Sequence, residues 1–322
     1  MDALSDVLKS VHLEGAVFLN AEFSAPWCVR GEAGMAMYKD RLAPYEHMVF
    51  FHFLVDGHCK VRLNETGQVF DACGGDLVLF PQDDRHLMGS DLQIAPLGDG
   101  GTQPADVVVD KDFIQIRHGG GGATTRFVCG YLLCNRSMTH ALFAALPRML
   151  CIPIGDGPAA ALLRELLQAG VRESLDTRPG TASALAKLAE LMFVEALRRY
   201  SETLPAEGKG WLAGMRDAQV GRALALLHAQ PGRAWTVDDL AHDVALSRSA
   251  LAQRFTTLVG ESPMQYLTRW RLALAAQSLR GCRDAVARIA ERHGYESEAA
   301  FNRAFKREFG VPPAAWRRAR AE

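Results

Sequence analysis

The spacing of apolar positions changes character along the chain. Between residues 47 and 80 they come in short dense runs, "HMVFFHFLV" (47–55), "CKVRL" (59–63) and "GDLVLF" (75–80), divided by Asp56-Gly57, Gly67 and Gly74-Gly75. Aromatic and β-branched runs bounded by turn formers predict strands, and residues 1 to about 135 read as strands and turns. From about residue 139 to 203 the period becomes helical. Leu162, Leu163, Leu166 and Leu167 make one stripe, and Leu185, Leu188, Met192 and Leu197 another. These predict a helical hairpin, over about 156–175 and 181–200. "SETLPAEGKG" (201–210) is polar, with one Pro and two Gly, and reads as a linker. From Trp211 onward the pattern is helical again. The predicted division is a domain over 1–203, a linker over 204–216 and an all-α domain over 217–322, α+β in all.

Composition changes this picture little. A chain of 322 residues, 48% hydrophobic and 23% charged, can bury two cores. The acidic start "MDALSD" is unlike a signal peptide, and no run of about 18 uncharged apolar residues exists, so a cytoplasmic protein without a membrane span is expected. The seven cysteines are odd in number and lack zinc spacing, the closest pair being Cys129-x4-Cys134; reduced thiols are the expectation. The net charge of −1 conceals an asymmetry. Residues 233–322 hold 15 Lys+Arg against 10 Asp+Glu, a net of +5, which leaves 21 against 27, a net of −6, for residues 1–232. A basic C-terminal segment points to an anionic partner once its charge is placed on a geometry.

The stretch "GYESEAAFNRAFKREFGVPPAAWRR" (294–318) supplies that geometry. With Phe301 at zero on a helical wheel, Phe305 and Phe309 fall at about 40° and 80°, one buried stripe, while Ala299, Asn302, Arg303 and Lys306 fall between about 100° and 200°. Ser297 is placed to cap the helix and Gly310 to end it. Upstream, "AVARIAERHG" (285–294) is a shorter helix closed by Gly294, so the whole reads as helix, turn, helix. The same unit occurs earlier, in "TVDDLAHDVALSRSALAQRFTTLVGESP" (236–263). Leu251, Phe255 and Gly260 lie 50 residues before Phe301, Phe305 and Gly310, whereas Leu240-Ala241 lies 49 before Ile289-Ala290. The two turns therefore differ by one residue. Thr236-x-x-Asp239 fits a capping box. Ser249, Ala252, Gln253 and Thr256 make the first unit's outward face.

"LAHDVALSRSALAQRF", "GESPMQYLTRWRLALAAQSL" and "IAERHGYESEAAFNRAFKREFGVPPAAWRR" resemble the DNA-binding domain of the AraC/XylS family of transcription regulators, over about residues 217–322. The resemblance implies two recognition helices in successive major-groove segments of double-stranded DNA. A connecting helix from Pro263 to about Arg280 would span about 27 Å, against about 34 Å between successive grooves on one face. Carried over, the base-reading positions fall on Ser249, Ala252 and Gln253 and on Ala299, Ala300, Asn302 and Arg303. Alanines there would meet a thymine methyl or permit close approach. Arg248, Lys306 and Arg307 are the candidates for phosphate.

In the N-terminal half, Gly75-x5-Pro81-x4-His86 matches part of the second cupin motif, with Asp83 and Ser90 at two positions where the motif has other residues. If Gly57 closes the first motif, Phe50 stands where the metal-ligand glutamate belongs, and "APYE" (43–46) has no histidine pair. A cupin-like β-barrel is expected, with no metal or other cofactor; His47, His52 and His86 are the residues a metal would use. Six of the seven cysteines lie in the first 151 residues, so a thiol-based redox signal through Cys129 or Cys134 is the alternative to a small-molecule effector. "HFLVDGHCKVRL", "GGDLVLFP" and "RHGGGGATTRFVCGYL" extend the resemblance to AraC-family regulators with a cupin-type sensor domain. It implies a homodimer paired through the helical hairpin, and RNA polymerase as a further partner. Gly119–Gly122 lacks the Gly-Lys-Ser/Thr of a phosphate loop and reads as a strand turn. A cupin-type metalloenzyme is the remote rival; no catalysis is expected.

Overall fold

A computed structural model of the protein describes residues 3–11, 14–31, 47–97, 106–110, 113–134, 142–143, 146–154, 161–162, 165–166, 180–205 and 208–318. The chain forms two compact units. One comprises residues 13–134 and 146–203; the other comprises residues 1–12, 135–145 and 204–322.

The first unit is built on eleven described strands: β1 (Glu14–Ser24), β2 (Cys28–Gly31), β3 (His47–Asp56), β4 (His58–Leu63), β5 (Val69–Cys73), β6 (Asp76–Phe80), β7 (His86–Gly89), β8 (Asp106–Asp110), β9 (Phe113–Gly119), β10 (Thr124–Cys134) and β11 (Leu150–Pro153). They make a seven-stranded sheet, β11-β6-β3-β10-β1-β9-β8, and a four-stranded sheet, β2-β7-β4-β5. Among the described residues these are two open sheets, not a closed barrel. Pairing is antiparallel except between β1 and β9.

Alternation along each strand decides what faces inward. Phe23, Met48, Phe50, Leu54, Phe80, Phe127 and Cys129 of the larger sheet pack with Cys59, Val61, Leu63, Ala72 and Met88 of the smaller one. The opposite face of the larger sheet carries Val49, Phe51, Phe53, Leu77, Leu79, Val128 and Leu132, all buried. A helix, Thr181–Thr203, packs on β1 and β10 and buries Leu185, Ala189, Met192, Phe193, Ala196 and Leu197. Covered on both sides, β3 has no solvent face, which is why "HMVFFHFLV" is apolar nearly throughout. Gly15 allows the helix its close approach: a Cβ there would lie 2.5 Å from the Ala186 carbonyl oxygen. The first arm of the expected hairpin, about 156–175, lies almost wholly outside the described residues, as does "APYE".

The second unit is helical. Numbered along the chain with Ala3–Val11 as α1 and Thr181–Thr203 as α2, it holds α1, α3 (Trp211–Arg216), α4 (Ala218–Ala229), α5 (Val237–Asp243), α6 (Arg248–Val259), α7 (Pro263–Gly281), α8 (Val286–Arg292), α9 (Glu298–Phe309) and α10 (Pro313–Arg318). Residues 211–216, helical in pattern and grouped with the linker by the sequence reading, form α3, where Trp211 is buried and its Nε1–H donates to Tyr266 Oη at 2.8 Å. Residues 3–11, grouped with the N-terminal strands by the sequence reading, form the helix α1, which packs on α4.

Candidate functional site

The two helix-turn-helix units share one construction. Thr236 and Asp239 close a reciprocal capping box at the start of α5, each side chain accepting the other's backbone N–H at 3.1 Å. Ser247 caps α6 by accepting from Ala250 N–H at 3.2 Å, and Ser297 caps α9 by accepting from Ala300 N–H at 3.2 Å. Gly260 (φ 89°) and Gly310 (φ 78°) end these helices in the left-handed region. Inside the turns, Ala245 (φ 57°) and Gly294 (φ 78°) occupy the same place, 49 residues apart. Just after each, Leu246 N–H donates to the Ala241 carbonyl and Tyr295 N–H to that of Ala290, both at 3.0 Å. Since Ser247 and Ser297 are 50 apart, the extra residue of the second turn is Glu296.

Leu251, Phe255, Phe301 and Phe305 are fully buried, and Phe305 packs on Phe309 and Trp316 with centroids 4.4 and 5.8 Å away. That burial fixes which face looks out. On α6, Ser249 and Gln253 are exposed and Ala252 half-buried. On α9, Ala299 and Arg303 are exposed, Ala300 and Asn302 half-buried, and Lys306 and Arg307 exposed. Arg248 lies 3.2 Å from Asp238, both exposed, so one phosphate candidate already has an internal partner. Arg303, Lys306 and Arg307 enter no ion pair among the described residues. The face of α9 is the more basic of the two.

Between the units runs α7, started by a Ser262–Gln265 capping box with Pro263 at its first turn. Its 19 residues span about 28 Å. Arg271, in the middle of this helix, was not singled out from the sequence. Its Nε donates to the Pro231 carbonyl (2.6 Å), one terminal nitrogen to that of Arg233 (2.7 Å) and the other, more weakly, to that of Gly294 (3.4 Å). One guanidinium thus ties the entry to the first unit and the turn of the second to the helix that spaces them. Gly294 accommodates it: a Cβ would lie 2.9 Å from the guanidinium carbon. The one signal in the sequence was a charged residue between two buried ones, Trp270 and Leu272.

The histidines and thiols of the first unit are arranged differently from the metal set the sequence offered. His52 and His86 meet in the interior, Nε2 to Nε2 at 2.7 Å, with His52 Nδ1 2.7 Å from Cys129 Sγ. His86 Nδ1 lies 2.9 Å from the Asp84 carbonyl oxygen, which can only accept, so this nitrogen carries the proton. Burial lowers the pKa of His52 well below the ordinary value and that of His86 to about 4, so both rings are neutral. His52 Nε2–H then donates to His86 Nε2, and the Cys129 thiol donates to His52 Nδ1. Burial also pushes the Cys129 pKa well up, keeping it a thiol rather than a nucleophilic thiolate. His47 is on the opposite face of β3 and bonds the Pro81 carbonyl at 2.6 Å. Among the described residues no three metal donors converge. Cys129 and Cys134 lie on one extended strand opposite His52 and His47, respectively. Five residues of strand separate them by about 17 Å, too far for a disulfide between them.

A cupin family model matches residues 2–202 and a helix-turn-helix domain model residues 240–319. A putative AraC-like transcription regulator of Streptomyces lividans is 34% identical over 319 residues, covering 99% of this chain and 98% of its own. The HTH-type transcriptional regulator AlkR of Acinetobacter baylyi is 30% identical over 325 residues, covering 98% of this chain and 99% of its own. Among solved structures, the DNA-binding domain of AdpA in complex with a target DNA is 30% identical, with 32% of this chain and 92% of that one covered and a TM-score of 0.31.

Proposed function

The chain belongs to the AraC-like transcription regulators, with a cupin N-terminal domain and a helix-turn-helix DNA-binding domain, and from that premise we propose that α6 and α9 are its two base-reading helices. Ser249, Ala252 and Gln253 meet one major-groove segment, and Ala299, Ala300, Asn302 and Arg303 the next. Lys306, Arg307 and, after release from Asp238, Arg248 meet the flanking phosphates. The observation that supports this most directly is the repeated unit itself: two serine-capped helices, each with its Phe or Leu side buried and its small and polar side exposed, joined by a helix of nearly one groove spacing. The small residues allow close approach, and Arg303 can bridge guanine O6 and N7.

The N-terminal domain senses a small molecule, and its occupancy alters how the DNA-binding units are presented. A ligand shifts such a balance only through tighter binding to one arrangement. The protein acts in the cytoplasm, as a homodimer that works with RNA polymerase, and catalyses no reaction; among the described residues no helix is long and apolar enough to cross a membrane. Footprinting on the DNA upstream of its own gene tests the reading. Protection of two adjacent segments on one face of the duplex, one helical turn apart, is expected. A single protected segment, or no sequence preference, would overturn it.

A further inference from the structure

The two reading helices share a scaffold but differ in where their charge lies. An offset of 50 residues aligns Leu251 and Phe255 of α6 with Phe301 and Phe305 of α9, all fully buried, so the exposed positions correspond one to one. Arg303, Lys306 and Arg307 of α9 then correspond to Gln253, Thr256 and Thr257 of α6, and all six are exposed. Every cation on the outward face of α9 thus has a neutral counterpart on α6. Thr257 is also turned onto its own helix, its Oγ1–H donating to the Gln253 carbonyl at 2.8 Å.

The two arginines of α6 lie elsewhere. With Leu251 at zero on a helical wheel, Arg248 and Arg254 fall at about 60° and 300°, on the flanks of the buried stripe. Both are held by carboxylates. Arg248 lies 3.2 Å from Asp238, and Arg254 lies 2.6 Å from Asp217, whose other oxygen accepts from the Gln219 and Val220 N–H groups at the start of α4. On α9 the placement is reversed. Glu298 and Glu308 fall at about 60° and 340° from Phe301, beside the stripe, and the three outward cations enter no ion pair among the described residues. An arginine that exchanges Asp238 for a phosphate leaves a bare carboxylate beside the duplex, so the exchange contributes little.

We infer that the two units divide the work: the α8–α9 unit anchors the protein to the phosphate backbone and binds its segment alone, while the α5–α6 unit reads without anchoring and binds only as a second, tethered step. The inference rests on the reading of α6 and α9 as the base-reading helices. Phosphate contacts by Lys and Arg release counterions and supply sequence-independent affinity, and only the outward face of α9 offers uncommitted cations for them. Once α9 is seated, α7 holds α6 at one groove spacing, and the tether raises its effective concentration at the neighbouring segment. Gln253, Thr256 and Ser249 then act through base edges, with little electrostatic hold on a wrong sequence.

Anisotropy titrations of the full chain, over about 50–200 mM KCl, test this on the upstream DNA and on two shorter duplexes cut from it, each carrying one protected segment. The segments are assigned by which loses base preference in Gln253→Ala and which in Arg303→Ala. The α9 duplex is expected to bind with nearly the salt slope of the whole site, and the α6 duplex at least about tenfold more weakly with a shallower slope. Lys306→Gln with Arg307→Gln should flatten the slope on the whole site by about two, at about 0.9 for each phosphate contact. Thr256→Lys with Thr257→Arg moves the anchor: it should steepen the slope by about the same amount and let the α6 duplex bind by itself. All four positions are exposed, so these variants keep the fold, which circular dichroism checks. Equal binding of the two short duplexes, or a Thr256→Lys, Thr257→Arg protein that gains nothing on the α6 duplex, would overturn the division of work while leaving both helices as readers. Base preference lost at neither segment in Gln253→Ala and Arg303→Ala would overturn the reading itself, and this inference with it.

Discussion

Replacing Arg271 by methionine keeps most of the side-chain stem in α7 and removes the fork that holds the two reading units. Two of its hydrogen bonds are short, 2.6 Å to Pro231 and 2.7 Å to Arg233; the third, 3.4 Å to Gly294, is weaker and is the one that reaches the turn of the second unit. Charge-assisted bonds contribute about 1.5–3 kcal/mol each, but the guanidinium is half-buried, and burial lowers its pKa, which marks a desolvation cost that returns on removal. The net expectation is about 2–3 kcal/mol of stability lost, read by urea unfolding with tryptophan fluorescence. The consequence for function is more specific than lost stability. An operator with one base pair inserted between its two segments displaces the second by about 3.4 Å along the duplex. Wild type, with its spacing fixed, should discriminate strongly against that operator. A folded Arg271→Met protein should discriminate less, because the turn around Gly294 is no longer tied to the loop around Pro231. An equal affinity loss on both operators would make Arg271 a packing residue only, and unchanged stability would refute the clamp itself.

What could be read from the sequence follows from how local each cause is. The helix-turn-helix pair was legible because caps, the 3.6-residue period and closing glycines act within a dozen residues, and a repeat offset of 50 against 49 located the turn difference. The run 47–55 was legible as strand because burial of β3 on both faces leaves almost no polar position. The order of the seven-stranded sheet was not, because β1 pairs with β9 and β10 across about a hundred residues, and nothing local sets that choice. The His86–His52–Cys129 chain joins residues 34 and 77 positions apart, and only strand register brings them together. The period-2 alternation that places His47 and His52 on opposite faces of β3 was available beforehand; applied there, it separates His47 from the other two.

Three further outcomes are expected. Arg303→Ala should cost about 1–3 kcal/mol at one guanine-containing position and relax preference there, whereas Lys306→Ala should weaken all sequences about equally; binding profiles over a mutated operator decide, and a uniform loss for Arg303→Ala would refute its role. Phe255→Ala and Phe305→Ala, both at fully buried positions, should each destabilise by about 3–5 kcal/mol in thermal or urea unfolding, and a Phe305→Ala protein that melts like wild type would show the face of α9 misassigned. The last concerns acid. Trp211 Nε1–H donates to Tyr266 Oη, so the tyrosine hydroxyl donates to His228 Nε2 at 2.6 Å, which fixes His228 as a neutral acceptor. Burial lowers its pKa to about 3. The unfolded chain, with an ordinary histidine pKa near 6.5, therefore binds the proton first as pH falls, and stability is lost from about pH 6.5 down to about pH 3. At pH 5 the loss from His228 alone is about 2 kcal/mol, and His293, whose pKa burial lowers to about 4, adds in the same direction. Unfolded carboxylates titrate mostly below that window, so histidine dominates between pH 7 and pH 5. Urea unfolding followed by helical circular dichroism at pH 7, 6 and 5 should show this slope, and His228→Gln, which cannot take up the proton, should flatten it by the same 2 kcal/mol or so. Equal slopes in the two proteins would mean that His228 is not held neutral, and that the Trp211–Tyr266–His228 chain runs with its hydrogen bonds in some other sense.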